Sequence, residues 1–372
     1  MSDVAHSVSE EDVLYVLRTV QDPDLHKDIV SLGFIKNLVI EGPKVSFDVE
    51  LTTPACPVKE QLKQECFDKV MDLDGVLETN ISMTANVRSR TVQSSISITG
   101  VKNVLAVASG KGGVGKSTAS TNIALALKAT GARVGLLDAD IYGPSIPTML
   151  GIEGAPERTA ENKLVPKEKF GLRVMSMGFL VSDDAPVIWR GPMVHGILQQ
   201  FLGQVMWNDL DYLIVDMPPG TGDAQLTLTQ SAPLAGAVII TTPQDVSLID
   251  ARRGLRMFEK VNVPVLGLIE NMSFFVCDSC DARHDIFRHG GGKKVSEELG
   301  IPFLGEIPID PDIALSGDKG VPIVERAPQS ASTEAYKAIA SNMASRLSMA
   351  SIELDLIDPE DLKLQWKTTS QQ

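Results

Sequence analysis

Nine consecutive residues, Gly110–Lys111–Gly112–Gly113–Val114–Gly115–Lys116–Ser117–Thr118, restrict the fold of this chain more than any other stretch. They match the pattern Gly-x-x-x-x-Gly-Lys-Ser/Thr. The apolar run Val104–Leu105–Ala106–Val107–Ala108 precedes them, and Ala119–Thr130, with helical spacing, follows. Strand, glycine-rich turn and helix is the context in which this pattern has a mechanism. The glycines let backbone N–H groups converge on phosphate oxygens, and the start of the helix adds a fixed partial positive charge. Gly110 to Thr118 therefore form a candidate nucleotide cradle. Lys116 would reach the β- and γ-phosphates, and the Ser117 hydroxyl would ligate Mg²⁺.

Carboxylates at two further strand ends would complete such a site. Leu136–Leu137–Asp138–Ala139–Asp140 places Asp140 to orient or deprotonate an attacking water and Asp138 to organise the Mg²⁺ shell. Capping the turn Tyr142–Gly143–Pro144 is the competing use of the same acids. Leu213–Ile214–Val215–Asp216 has the form of a Walker B strand, with Asp216 holding a magnesium-bound water. The turn-rich loop Met217–Pro218–Pro219–Gly220–Thr221–Gly222–Asp223 follows, suited to sensing a γ-phosphate. Asn271, after the strand Val265–Ile269, either offers its amide to the adenine edge or serves in a turn.

Strands are expected at Val104–Ala108, Arg133–Leu137, Arg173–Met177, Tyr212–Asp216, Ala237–Thr241, Val265–Ile269 and Phe303–Ile307. These near-continuous apolar runs, with helical stretches such as Val246–Lys260 and Ser330–Leu347 between them, predict a mostly parallel sheet covered by helices. The front of the chain has another rhythm: helices at Glu10–Val20 and Val58–Met71, and strands at Ile35–Ile40, Lys44–Leu51 and Asn80–Val87. The reading is a small α+β domain at 1–88, a Ser/Thr-rich linker at 89–101, an ATPase domain at 102–350 and an acidic tail at 351–372, in which Leu362–Trp366 has strand character.

Composition narrows the function. A formal net charge of −14 without a basic run excludes a general nucleic-acid grip. No apolar stretch approaches the ~20 residues of a membrane span. The start Met1–Ser2–Asp3–Val4–Ala5–His6 lacks a secretory pattern, and the acidic stretch Glu353–Asp361 is a poor anchor for anionic lipid. A cytoplasmic protein, bound to neither membrane nor nucleic acid, is expected.

Four cysteines do not make a disulfide framework in such a chain. Cys277–Asp278–Ser279–Cys280 lets two thiolates reach one soft metal centre from a single turn. Two ligands are half a tetrahedral site, and a symmetric dimer would supply four for one [4Fe–4S] cluster or one Zn²⁺. A thioredoxin-like pair would have to open a helix, which this one does not. His284 and His289 lie nearby and would favour zinc, but lone histidines of this kind read as polar loop residues and are left out of the site. Cys56, in Thr52–Thr53–Pro54–Ala55–Cys56–Pro57, is either partly exposed and reactive or a small buried residue at a helix start. Cys66 shares the helical spacing of Leu62 and Val70 and reads as core.

Together, Gly110–Thr118, Asp138–Ser145, Asp216–Asp223 and Glu270–Ser273 with Cys277 and Cys280 resemble the Mrp/ApbC family of iron–sulfur cluster carrier ATPases, in the family's order over about residues 100–350. Asp22–Leu25, Asp28–Gly33 and the turn holding Cys56 resemble the SufT-like iron–sulfur assembly domain. The resemblance implies a P-loop NTPase fold of the SIMIBI class with a deviant Walker A loop. In that class Lys111 crosses to the partner's nucleotide, which makes Lys111, Lys116 and Asp140 the catalytic groups and Ser117, Asp138 and Asp216 the Mg²⁺ groups. It further implies ATP, Mg²⁺ and a [4Fe–4S] cluster held between Cys277 and Cys280 of a homodimer, with apo-proteins as clients and upstream cluster donors. The alternative function is a zinc-bridged dimeric ATPase of the partition or polarity type, acting as a protein-localisation switch.

Overall fold

The computed structural model describes residues 8–90, 96, 98–141, 143–180, 196, 201–277 and 279–356. Tyr142, Asp278 and the stretch 357–372, with its expected strand at Leu362–Trp366, lie outside the described residues. The chain divides into two compact units, one of residues up to Arg88 together with those from Ala344 onward, the other Ser89–Met343.

In the smaller unit, helix α1 (Glu10–Leu17) starts at Ser9, whose hydroxyl accepts from the Asp12 N–H at 3.2 Å. Asp12 returns a carboxylate to the Ser9 N–H at 3.0 Å, a reciprocal cap that satisfies two otherwise orphaned donors. A short ladder, β1 (Gln21–Asp22) with β2 (Lys27–Asp28), surrounds buried Asp22, whose Oδ1 accepts from the N–H groups of Asp24 and Leu25 at 2.9 Å each. Strands β3 (Ile35–Glu41) and β4 (Lys44–Leu51) form a hairpin. Helix α2 (Lys59–Met71) then crosses back so that β5 (Glu78–Ala85) joins β4 in parallel. Strict alternation along β4 sends Val45, Phe47, Val49 and Leu51 into a core shared with Val13, Leu17, Leu62, Cys66 and Val70. Composition sets the end of the larger domain at residue 350, whereas the last helix is continuous from Ala331 to Leu356 and its residues from Ala344 group with the smaller unit.

The larger unit is built on β6 (Val101–Ser109), α3 (Lys116–Ala129), β7 (Val134–Asp138), α4 (Ile146–Leu150), β8 (Lys167–Lys169), β9 (Leu172–Ser176) and β10 (Leu210–Asp216). It continues through α5 (Asp223–Ser231), β11 (Leu234–Thr241), α6 (Asp245–Lys260), β12 (Val265–Val276), β13 (Arg283–His284), α7 (Gly291–Leu299) and β14 (Phe303–Ile309). The strands run in the order β13-β12-β11-β6-β10-β7-β9-β8, with β14 also on β12. Among the described strands of this sheet, only the outlying pairs β12–β13 and β8–β9 are antiparallel. Every residue of β7, β10 and β11 is buried, as expected of strands covered on both faces. Helices α8 (Pro311–Asp318) and α9 (Ile323–Arg326) precede the final helix, α10 (Ala331–Leu356). Seven strands fall where the apolar runs put them, but β12 runs on to Val276 through Glu270 and Asn271, because both polar side chains find partners inside the protein.

Candidate functional site

The carboxyl ends of β6, β7, β10 and β12 lie on one edge of the parallel sheet, where α/β proteins place their ligands. The loop after β6 carries Gly110–Thr118. Gly115 caps α3 in the left-handed region, with φ of 80°, a conformation that costs any other residue strain. A Cβ at Gly110 would collide with the backbone of Asp250 on α6, so only glycine lets helix and loop approach this closely. Ser109 Oγ donates to the Lys111 carbonyl at 2.9 Å, and Asn271 Nδ2 donates to the Val114 carbonyl at 2.8 Å. The amide that the sequence aims at adenine thus has its donor engaged with the loop itself. Beyond β10, the Gly220 N–H donates to the Ser109 carbonyl at 3.0 Å, fastening the loop after Asp216 to the foot of the cradle.

Inside this frame Lys116 is buried, its Nζ 2.7 Å from Asp216 Oδ2, 3.2 Å from Ser117 Oγ and 3.9 Å from Asp140 Oδ2. Both oxygens of fully buried Asp216 are also bound by hydroxyls, Ser117 Oγ at 2.6 Å and Ser120 Oγ at 2.7 Å. Ser120 was invisible to the motif, although it lies one helical turn beyond Lys116 on the same face. Parallel pairing of β10 with β7 sets Asp216 beside Asp138. Asp138 accepts from Ser176 Oγ at 2.9 Å, the Ile146 N–H at 3.2 Å and the Asp140 N–H at 3.2 Å. Burial first, and the Asp216 charge second, push the Asp138 carboxyl up to about 7. Those bonds make Asp138 the anchor of the turn after β7. Asp140 Oδ1 accepts from the Gly143 N–H at 3.3 Å, which keeps the turn-capping use of this acid alongside its approach to Lys116.

The cradle fits a nucleotide. Beside Gly112 and Gly113 there is no atom within 4 Å of where a Cβ would stand, which leaves their backbone open to a phosphate, and a buried ammonium sits at its end. Ser117 and Asp216 oxygens 2.6 Å apart are a donor set for a hard divalent cation.

At the far end of β12 the chain turns through Cys277–Cys280 and returns as β13, pairing Phe275 with His284 and Val276 with Arg283. The Cys277 carbonyl accepts from the Asp281 N–H at 2.8 Å and the Cys280 N–H at 3.3 Å, a tight knuckle that presents Cys280 to solvent and leaves Cys277 half-buried. Cys56 and Cys66 belong to the smaller unit. Burial, above all, pushes the Cys56 thiol up to about 11 and the Cys66 thiol up to about 12, which favours the buried reading of Cys56 over the reactive one. His284 stacks on Phe275, with ring centroids 6.5 Å apart. His289, read from the sequence as a polar loop residue, lies 2.9 Å from Glu306 Oε1 across 17 residues of chain, a pairing with no local signal.

Residues 100–344 match a family model described as the NUBPL iron-transfer P-loop NTPase, and residues 10–83 match one described as iron-sulfur cluster assembly protein. An iron-sulfur cluster carrier protein of Synechocystis is 54% identical over 346 residues, covering 91% of this chain and 98% of that one. A protein of the same description from Escherichia coli is 47% identical, covering 89% of this chain and 90% of its own length. Among solved structures, a nucleotide-binding protein of Archaeoglobus fulgidus in complex with ADP is 40% identical with a TM-score of 0.54, over 59% of this chain and 87% of that one. Among the described residues, no helix is long and apolar enough to cross a membrane.

Proposed function

Since the chain belongs to the NUBPL iron-transfer P-loop NTPase family and carries an iron–sulfur cluster assembly domain in front, we propose that it is a homodimeric carrier that holds a [4Fe–4S] cluster as cargo and delivers it in an ATP-dependent manner. Cys277 and Cys280 of the two copies supply the four thiolates. One observation carries the reading: strand β12 meets the phosphate loop at Asn271 and reaches the thiol knuckle six residues later, so one element touches both sites.

In the resting arrangement Lys116 is neutralised by Asp216. Phosphate entering the cradle is a better partner for the ammonium, which exchanges Asp216 for the β- and γ-phosphates. Asp216 and Ser117, freed from Lys116, would hold Mg²⁺, which would supply Lewis-acid stabilisation of charge on the phosphate oxygens. Asp140 orients the attacking water, and Lys111 reaches the nucleotide of the other copy. The Gly220 bond to the Ser109 carbonyl offers a route by which loss of the γ-phosphate moves the loop after β10. The relatives described as iron–sulfur carriers, and the iron-transfer family model, support the cargo.

The test is anaerobic reconstitution of the full chain with iron and sulfide, with metal and sulfide counted per dimer by sedimentation and absorption. Four iron and four sulfide per dimer are expected, lost in Cys277→Ser. A Cys277→Ser protein that keeps a full cluster, or a chain that loads one as a monomer, overturns the proposal, and stoichiometric zinc without sulfide points to the metal-bridged switch instead.

A further inference from the structure

Parallel pairing of β12 with β14 puts Glu270 directly beside Glu306. Two carboxylates opposite each other on neighbouring strands repel, so the arrangement needs positive charge or donors between them. Glu270 is fully buried and rigidly held: Oε1 accepts from Ser273 Oγ at 2.6 Å and the Gly290 N–H at 3.0 Å, and Oε2 from the Gly292 N–H at 2.5 Å. A carboxylate offers about four lone-pair positions, so Oε2 keeps one unused acceptor direction. His289, just before α7, brings Nε2 to 2.9 Å from Glu306 Oε1. One donor atom from each of Glu270, His289 and Glu306 lies within 4.8 Å of the others.

We infer that Glu270, His289 and Glu306 form a mononuclear site for a first-row divalent cation, separate from both the phosphate loop and the thiol pair. Two carboxylate oxygens and one imidazole suit Fe²⁺, Co²⁺, Mn²⁺ or Zn²⁺ and lack the thiolate that soft Cu(I) requires. With bonds of about 2.1 Å, neighbouring ligands on a six-coordinate ion stand about 3 Å apart, the separation of His289 from Glu306, and opposite ligands about 4.2 Å. His289 and Glu306 are partly exposed, so their side chains can rotate to bring the three donors, all within 4.8 Å of one another, onto one ion, and water fills the open positions.

The surroundings are those of a ligand set held from outside. The backbone and hydroxyl donors on Glu270 fix its carboxylate, and the Arg283 guanidinium lies 3.6 Å from the second oxygen of Glu306. Arg283 sits on β13 of the thiol knuckle and stacks over the Phe274 ring at 3.9 Å. A cation held by Glu306 competes with Arg283 for the same carboxylate, which links occupancy to the position of that hairpin. The site stands independently of the cluster-carrier proposal.

The experiment removes the competing thiols. Full-length Cys277→Ser/Cys280→Ser protein, free of nucleotide, is titrated with Co²⁺ by calorimetry and checked by elemental analysis after desalting. One equivalent bound per chain is expected, with affinity falling about tenfold or more in His289→Ala and in Glu306→Gln on the same background. Both side chains are partly exposed, so melting in metal-free buffer should match the parent and exclude misfolding. Added Co²⁺ should raise the melting temperature of the parent alone. An absent equivalent, or a titration unchanged by either substitution, overturns the inference.

Discussion

The buried pair at the heart of the nucleotide site makes a sharp prediction about stability in the absence of any nucleotide. Lys116 Nζ and Asp216 Oδ2 are 2.7 Å apart, with side-chain exposures of 6% and 0%. Removing one member of such a pair leaves an uncompensated buried charge, at a cost of about 3–5 kcal/mol. Two features of the structure push in opposite directions. The hydroxyls of Ser117 and Ser120 continue to solvate Asp216, whereas Asp140 loses an ammonium 3.9 Å away and the Asp216 charge beside Asp138 loses its counter-ion. Lys116→Met, which keeps the length of the stem, should therefore cost about 3 kcal/mol, or about 6–12 °C in melting temperature for a unit of this size. Asp216→Asn should cost a similar amount. The double variant, in which a neutral amide faces an apolar stem, should recover at least about 1.5 kcal/mol relative to the sum of the two. The assay is thermal and urea unfolding at pH 7.5 and at pH 5.5, without nucleotide. The Asp138 carboxyl, raised above its unfolded value chiefly by burial and then by the Asp216 charge, takes up a proton as pH falls, which reduces the buried negative charge that Lys116→Met leaves uncompensated, so the deficit should be smaller at pH 5.5. Strict additivity of the two single variants, or a deficit that grows on acidification, would refute the claim that Lys116 is held by Asp216.

Alkylation with iodoacetamide at pH 8 should label exposed Cys280 first and Cys66 last, with Cys56, whose thiol is pushed up to about 11, about a hundredfold slower than an unperturbed thiol; comparable rates at Cys56 and Cys280 would sink the buried reading. Because the Asp138 carboxyl is raised, chiefly by burial and then by Asp216, this group lowers stability as pH climbs from about 4 to about 7; Asp138→Asn should flatten that slope in a pH series of melting temperatures, and an unchanged slope would place the titration elsewhere. Gly115→Ala, at φ of 80° and against Asn271, should abolish ATP turnover and nucleotide binding while leaving iron–sulfur loading at Cys277 and Cys280 intact; loss of loading as well would mean that the two ends of β12 fold as one unit.

The phosphate loop, its strand and helix, and the acids Asp138, Asp140 and Asp216 were legible because each is a local pattern: a glycine turn, an apolar run, a carboxylate at its end. Periodicity reports which face of an element is buried, not which distant group meets a polar residue there. Ser176 lies 38 residues from Asp138, and Val114 lies 157 residues from Asn271, so neither partnership has a local signature. The same blindness ended β12 too early. Glu270 reads as a strand terminator until the N–H groups of Gly290 and Gly292, brought in by α7, satisfy it inside the sheet. At the C-terminus the acidic composition from residue 351 suggested a tail. Buried Ser351 and Ile352 are enough to carry the helix on to Leu356.

Six residues separate Asn271, which braces the phosphate loop, from the sulfur-bearing turn, and between them β12 is broken: Met272 adopts a φ of 55° and the pairing with β14 slips between Asn271 and Phe275. A displacement of the phosphate loop that reaches the thiols along the chain passes through this bend, and substitution at Phe274 or Phe275 just beyond it should uncouple the two ends while leaving each intact.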